Sequence, residues 1–253
     1  MEREILIKTE NLCKTFQTEH GEQRLITDLN IEIYKGDFTV IMGASGSGKS
    51  TLLYNLSGLD RPTSGTILFS GNNVTEMTTD QMADFRKRYC GFIFQQHCLI
   101  DSLNVLDNVI MAGMLVSGDK KEIITKAKAL FRQLEIPEAT EKKHPNQISG
   151  GRAQRVAIVR ALINSPDVIF ADEPTGSLNS KASKEVLDIF TDVNRNGQSL
   201  IMVTHSVVSA CRGSRILYLR DGNILDECNL GAYDGNDDAR IGKLNLFLQK
   251  MGW

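Results

Sequence analysis

Apolar and polar positions along the chain change rhythm several times, and each rhythm predicts an element. Early on, Ile5-Leu6-Ile7 is a short apolar run, and Leu29-Asn30-Ile31-Glu32-Ile33 alternates with period two. Period two is the mark of a half-buried strand. Phe38 to Met42 is a β-prone run that ends at a glycine-rich loop, and Lys49 to Leu56 reads as a helix after it. From about 79 to 148 the texture is different: Ile123/Ile124, Ala127, Leu130/Phe131 and Leu134 recur at three- and four-residue steps. That spacing predicts an amphipathic helix, which Pro137 should stop because proline lacks the amide hydrogen. A second helix is expected over Leu106 to Leu115, making a mainly helical insertion. Strands return at Asp167 to Ala171 and Leu200 to Val203. Short apolar strands alternating with helices predict an α/β body with a parallel sheet covered on both faces.

The chain has 253 residues, enough for one large domain with a small subdomain, and no repeat or linker divides it. It is read as one domain over 1–253 with a helical subdomain at about 79–148. Lys and Arg number 29 against 31 Asp and Glu, a net charge of −2, so nothing marks a nucleic-acid-binding surface. The longest apolar run, Val109 to Val116, is too short to span a bilayer. The opening Met1-Glu2-Arg3-Glu4 is charged, so no secretory leader is expected. Five scattered cysteines, never in a C-x-x-C pair, argue against disulfides or a zinc site and fit a reducing compartment.

The chemistry begins at Gly43-Ala44-Ser45-Gly46-Ser47-Gly48-Lys49-Ser50-Thr51, whose first eight residues match G-x-x-x-x-G-K-[ST] throughout. Glycines let the backbone turn its amide hydrogens toward phosphate oxygens, and the helix that follows adds its positive end. Lys49 is expected at the β- and γ-phosphates of ATP, and the Ser50 hydroxyl on Mg²⁺. Strand before and helix after are the context this motif requires. Val168 to Ala171 then ends in Asp172-Glu173. After such a loop, the first acid suits Mg²⁺ and the second suits polarising the attacking water.

Ile148-Ser149-Gly150-Gly151-Arg152-Ala153-Gln154-Arg155 closely resembles the L-S-G-G-Q signature of ATP-binding-cassette (ABC) ATPases. The other motifs fall in that family's order: Phe94-Gln95 is similar to its Q-loop, Ser177-Leu178-Asn179 to its D-loop, and Thr204-His205 to its switch histidine. Six ordered motifs spread the resemblance over essentially the whole chain. It implies a P-loop NTPase cassette: a mixed RecA-like core, an N-terminal antiparallel β subdomain and a helical insertion. It further implies adenine stacking on Phe16, Mg²⁺ ligation by Gln95, and contact of His205 with the γ-phosphate. Ser149, with the amides of Gly150 and Gly151, opens a helix and forms another anion cradle. In the family, two cassettes pair head to tail, each ATP lying between one copy's P-loop and the other's signature. His20, His97 and His144 are expected to be surface or packing residues.

Three positions depart from the family pattern. Arg152 stands for the signature glutamine, Asn179 for the D-loop aspartate, and Ser206 for the aspartate after the switch histidine. None removes a direct phosphate or Mg²⁺ contact, so hydrolysis is still expected. The wider motif strings, Ile41 to Thr51, Gly91 to Gln96 and Ala171 to Gly176, are similar to the branch serving lipoprotein release, macrolide export and antimicrobial-peptide resistance. Length and tail most resemble bacterial cassettes of bacitracin- or lantibiotic-type systems. The resemblance implies a separate integral membrane permease, a second copy as ATP-sandwich partner, and a place on the cytoplasmic face of a bacterial membrane. Lipoprotein-release or macrolide-type transport, or a regulatory cassette signalling through a membrane protein, stay open. The insertion, whose apolar face includes Phe92, Leu99, Leu103 and Val105, is expected to carry the permease-docking surface as a patch, some of these residues packing internally.

Overall fold

The computed structural model describes residues 3–19 and 21–253, so His20 lies outside the described residues. In chain order the first elements are β1 (Ile5–Thr18), β2 (Gly21–Leu29), β3 (Glu32–Tyr34), β4 (Phe38–Met42), α1 (Lys49–Leu56), β5 (Ser64–Phe69), β6 (Asn72–Asn73) and α2 (Thr79–Tyr89). There follow β7 (Cys90–Phe94), α3 (Val105–Gly113), α4 (Lys120–Gln133), α5 (Gly150–Leu162), β8 (Val168–Asp172) and α6 (Ser180–Arg195). The chain ends with β9 (Ser199–Val203), α7 (Val207–Ala210), β10 (Arg215–Arg220), β11 (Asn223–Asn229) and α8 (Asp237–Lys250). The residues fall into two compact units, one of Met1–Ala83 with Asn194–Trp253, the other of Asp84–Val193.

In the first unit β1 is the centre of an antiparallel sheet, paired with β2, β3 and β5. Beside it β4 runs parallel to both β10 and β9, and β11 closes the edge antiparallel to β10. That edge makes the sheet mixed rather than purely parallel. Every residue of β4 and β9 is buried, which is why both read as near-continuous apolar runs rather than alternating ones. The alternating stretch Leu29 to Ile33 proves not to be one strand. β2 ends at Leu29 and β3 begins at Glu32, so the chain changes pairing along β1 between them. Leu29, Ile31 and Ile33 are all buried, and inward alternation therefore survives a break that it could not reveal.

In the second unit β7 and β8 are a parallel pair. The expected amphipathic helix is α4, capped by Asp119, whose side chain accepts from the amides of Lys121 and Glu122. It stops before Pro137 is reached. Glu135 takes a left-handed φ of 53°, which ends the helix first. Helix α3 begins on Asn104, whose side chain accepts the Asp107 amide, and ends at Gly113, short of the expected Leu115. No helix among the described residues is long and apolar enough to cross a membrane.

Candidate active site

Strand β4 delivers the chain into the loop 43–48, where glycine is dictated twice by space. A Cβ on Gly43 (φ 155°) would lie 2.2 Å from the Leu219 carbonyl oxygen; one on Gly48 (φ 95°) would lie 2.8 Å from that of Leu25. Ser47 donates its amide to Ala44 O at 3.2 Å, closing the turn, while Ala44, Ser45 and Gly46 are exposed. Helix α1 then starts with Gly48 as its cap, without a capping side chain and without an acid in its first turn. Its first amides keep their partial positive charge for an outside anion. Lys49 Nζ donates to Ala44 O at 2.7 Å, holding the ammonium over the loop. Ser50 and Thr51 are half-buried beside it. Ser47 Oγ is buried with no hydrogen-bond partner among the described residues. Glycine-lined backbone, uncapped amides and one ammonium together fit a polyphosphate.

The same unit holds Phe16 and His205. Phe16, on β1, is 40% exposed, with Lys14 Nζ 4.8 Å from its ring centroid. His205 follows β9 and is exposed. Its turn is tied to β4 by the Thr204 amide, which donates to Ile41 O at 3.3 Å. Ser206, in place of the family's aspartate, caps α7 by accepting the Ser209 amide at 3.2 Å.

The remaining predicted residues lie in the second unit. Phe94 is register partner of Asp172, so Gln95 and Glu173 leave adjacent parallel strands at their C-terminal ends, where α/β proteins place their ligands. Asp172 and Glu173 are half-buried. Glu173 has a φ of 46°, a left-handed conformation that is strained for a residue with a Cβ. Gln95 O accepts from Ser177 Oγ at 2.9 Å, and a Cβ on Gly176 would lie 3.0 Å from Gln95 Nε2. Ser149 caps α5, accepting the Arg152 amide at 3.4 Å, and the helix has no acid in its first turn. A Cβ on Gly151 would meet Ala182 of α6 at 2.8 Å. Asn179 caps α6, its Oδ1 accepting the Ala182 amide at 2.9 Å.

On the insertion's apolar face the structure separates residues that pack internally from those left exposed. Leu99 and Val105 are buried, and the Phe92 ring stacks on Phe94 and Phe170 at centroid distances of 6.2 and 5.8 Å. The exposed large apolar side chains here include Ile100, Met111, Met114, Leu115 and Val116. Met111, Met114 and Leu115 carry the helical three- and four-residue spacing that could have singled them out. His97 and His144 do pack: His97 O accepts from Arg160 Nη2 at 3.0 Å, and His144 Nδ1 lies 3.1 Å from Asp101 O. A polar cleft of about 610 Å³ in the first unit, including Glu32, Tyr34 and Arg215, holds none of the predicted residues. Its arginine is engaged by Glu227 and by Glu32 O.

A phosphate cradle, a strand-end acid pair and a signature helix define a nucleotide-hydrolysing cassette, and the chain belongs to the ABC transporter family, whose model matches residues 26–176. It is an ATPase of that family, and its nucleotide is ATP. Among relatives, it is 37% identical over 227 residues to the bacitracin export ATP-binding protein BceA of Halalkalibacterium halodurans, covering 89% of each chain. It is 41% identical over 224 residues to the uncharacterized ABC transporter ATP-binding protein MJ1508 of Methanocaldococcus jannaschii, covering 88% of this chain and all of that one. Over 222 residues it is 37% identical to the macrolide export ATP-binding/permease protein MacB of a Shewanella strain, covering 88% of this chain and 34% of that one. The solved dimeric cassette MJ0796, in a post-hydrolysis state bound to ADP and Pi, superposes with a TM-score of 0.82 at 35% identity, covering 90% of this chain and all of that one.

Proposed function

We propose that this chain is the motor subunit of a transporter: it binds Mg²⁺-ATP, pairs head to tail with a second copy, hydrolyses the nucleotide and drives a separate membrane permease. The observation that carries this is the pair of anion cradles on one chain, the loop 43–51 before α1 and Ser149-Gly150-Gly151 before α5. In the head-to-tail arrangement each ATP takes one cradle from each copy. The dimeric state of the solved relative supports that arrangement.

In this reading Lys49 binds the β- and γ-phosphates, Phe16 stacks on adenine, and His205 orients the γ-phosphate. Glu173 takes the proton of the attacking water as general base. Ser50, Gln95 and Asp172 offer hydroxyl, amide and carboxylate oxygens, the hard donors that Mg²⁺ accepts when phosphates complete its shell. No group of three His, Cys, Asp or Glu that could hold a metal ion by itself occurs among the described residues. When bound, the ion neutralises charge developing on the phosphates.

We place the permease contact on the helical subdomain, about 79–148, at the exposed Met111, Met114 and Leu115. The working location is then the cytoplasmic face of a bacterial membrane. The likeness to the bacitracin exporter favours antimicrobial-peptide resistance or export, and the likeness to the macrolide exporter keeps a macrolide-type cargo in play. The test is capture from detergent-solubilised membranes, with turnover measured on the captured complex. A copurifying multi-span permease and ATP-dependent turnover are expected. A membrane receptor bound to a cassette without turnover would favour the regulatory reading instead.

A further inference from the structure

Helix α5 sends one amide side chain fully inward, and its two donors are both spoken for. Gln154 is 2% exposed, and its Nε2 donates to Phe94 O at 2.9 Å and to Pro174 O at 2.9 Å. A primary amide has two N–H donors. Phe94 is bonded through the chain to Gln95, and Pro174 to Glu173. The same helix begins at the signature cap, Ser149.

Glu173 needs such support. At a φ of 46° it holds a backbone conformation that persists only where neighbours over-determine it. On one side the Gly176 amide donates to Glu173 O at 3.0 Å. Beyond it, the carbonyl of buried Pro174 is held by Gln154. Ser177 Oγ on Gln95 O adds a cross-link between the acid's turn and the Q-loop root.

We infer that Gln154 is a positioning residue for hydrolysis: its amide fixes the backbone beside Glu173 and beside Gln95, and makes the start of α5 move with both. The inference rests on Glu173 being the base. It acts through Pro174 and Phe94 and has no contact with ATP of its own, so its loss should change turnover rather than nucleotide binding. In that reading the contacts that hold ATP on the isolated chain come chiefly from the loop around Lys49, which belongs to the other unit.

The test uses the full chain with Gln154→Met, which matches length without donors, and Gln154→Glu. Gln154→Met should lower kcat by about 10- to 100-fold, the scale expected when a reacting group is misplaced by about an ångström. ATP affinity by equilibrium titration should stay within about threefold. In Gln154→Glu the buried carboxyl faces two carbonyl oxygens, which favours its protonated form. That form recovers one donor. The turnover ratio of Gln154→Glu to Gln154→Met should therefore rise several-fold from about pH 8.5 to about pH 6.5, with Glu173 common to both and cancelling. Wild-type kcat in a folded Gln154→Met, or a flat ratio across pH, overturns the inference. Should Gln154→Met fold poorly, the pH profile of Gln154→Glu against wild type decides, a relative gain at low pH supporting it and its absence refuting it. Glu173→Gln assayed in parallel separates the layers. Normal turnover there removes the base reading itself, while its loss beside an undisturbed Gln154→Met removes only Gln154.

Discussion

The chain presents two glycine-rich helix starts, and they are built differently. At the loop 43–48, glycine is forced by positive φ and by backbone carbonyls 2.2 and 2.8 Å from where a Cβ would lie. Helix α1 has no capping side chain, and a lysine ammonium already sits over the turn. At 149–151 neither glycine has a positive φ, the Ser149 hydroxyl takes up one of the helix's own amides, and Gly151 is small because Ala182 of α6 presses on it. In the proposed reading the first is a phosphate cradle with its own countercharge, and the second, exposed at Ser149 and Gly150, contributes amides and a hydroxyl to an anion held on the other copy. A protein with one of each is suited to sharing a nucleotide with its own copy.

The largest effect expected from breaking this contrast is at the first cradle. Lys49→Ala should abolish tight ATP binding by the isolated chain, since a charge-assisted contact contributes roughly 1.5–3 kcal/mol and more in a dry site. Unchanged affinity by titration would remove the assignment of loop 43–51. The second cradle should respond differently. Ser149→Ala should leave ATP binding by the monomer within about twofold, weaken ATP-driven pairing, and cost ~1 kcal/mol of folding stability through loss of the α5 cap. Equal damage to monomer binding would mean that the two helix starts are not functionally distinct. Smallest is Asn179→Asp. Asn and Asp cap helices about equally, so the melting temperature should barely move, while turnover rises or stays level. A collapse in activity would give this turn a different job.

Much of this was legible beforehand because the phosphate loop is a local problem. β4 and α1 occur over Phe38–Met42 and Lys49–Leu56, as the run, the glycines and the lysine require. Regions whose geometry depends on distant partners were less readable. Apolar spacing puts Leu99 and Val105 on an apolar face, but does not tell which of its residues pack inside the protein and which form the exposed patch. The chain's change of pairing between Leu29 and Glu32 leaves no trace in the alternation, since inward residues stay inward. Glu135 ended α4 before proline could, through a left-handed backbone that its side chain does not advertise. Gln154 was missed for a related reason. A glutamine on a helix reads as solvated surface until the two carbonyls that it reaches are seen.

Nucleotide binding is expected to close two copies, and hydrolysis through Glu173 to open them. Glu173→Gln separates those halves, because glutamine keeps the size and hydrogen bonding of glutamate but cannot take a proton, a loss of ~10²–10⁴-fold where general-base help is removed. Sedimentation with and without ATP, beside a phosphate-release assay, reads both. The expected variant is monomeric alone, dimeric with ATP and nearly silent in phosphate release. Near-normal turnover, or a variant that binds ATP and stays monomeric, would contradict this.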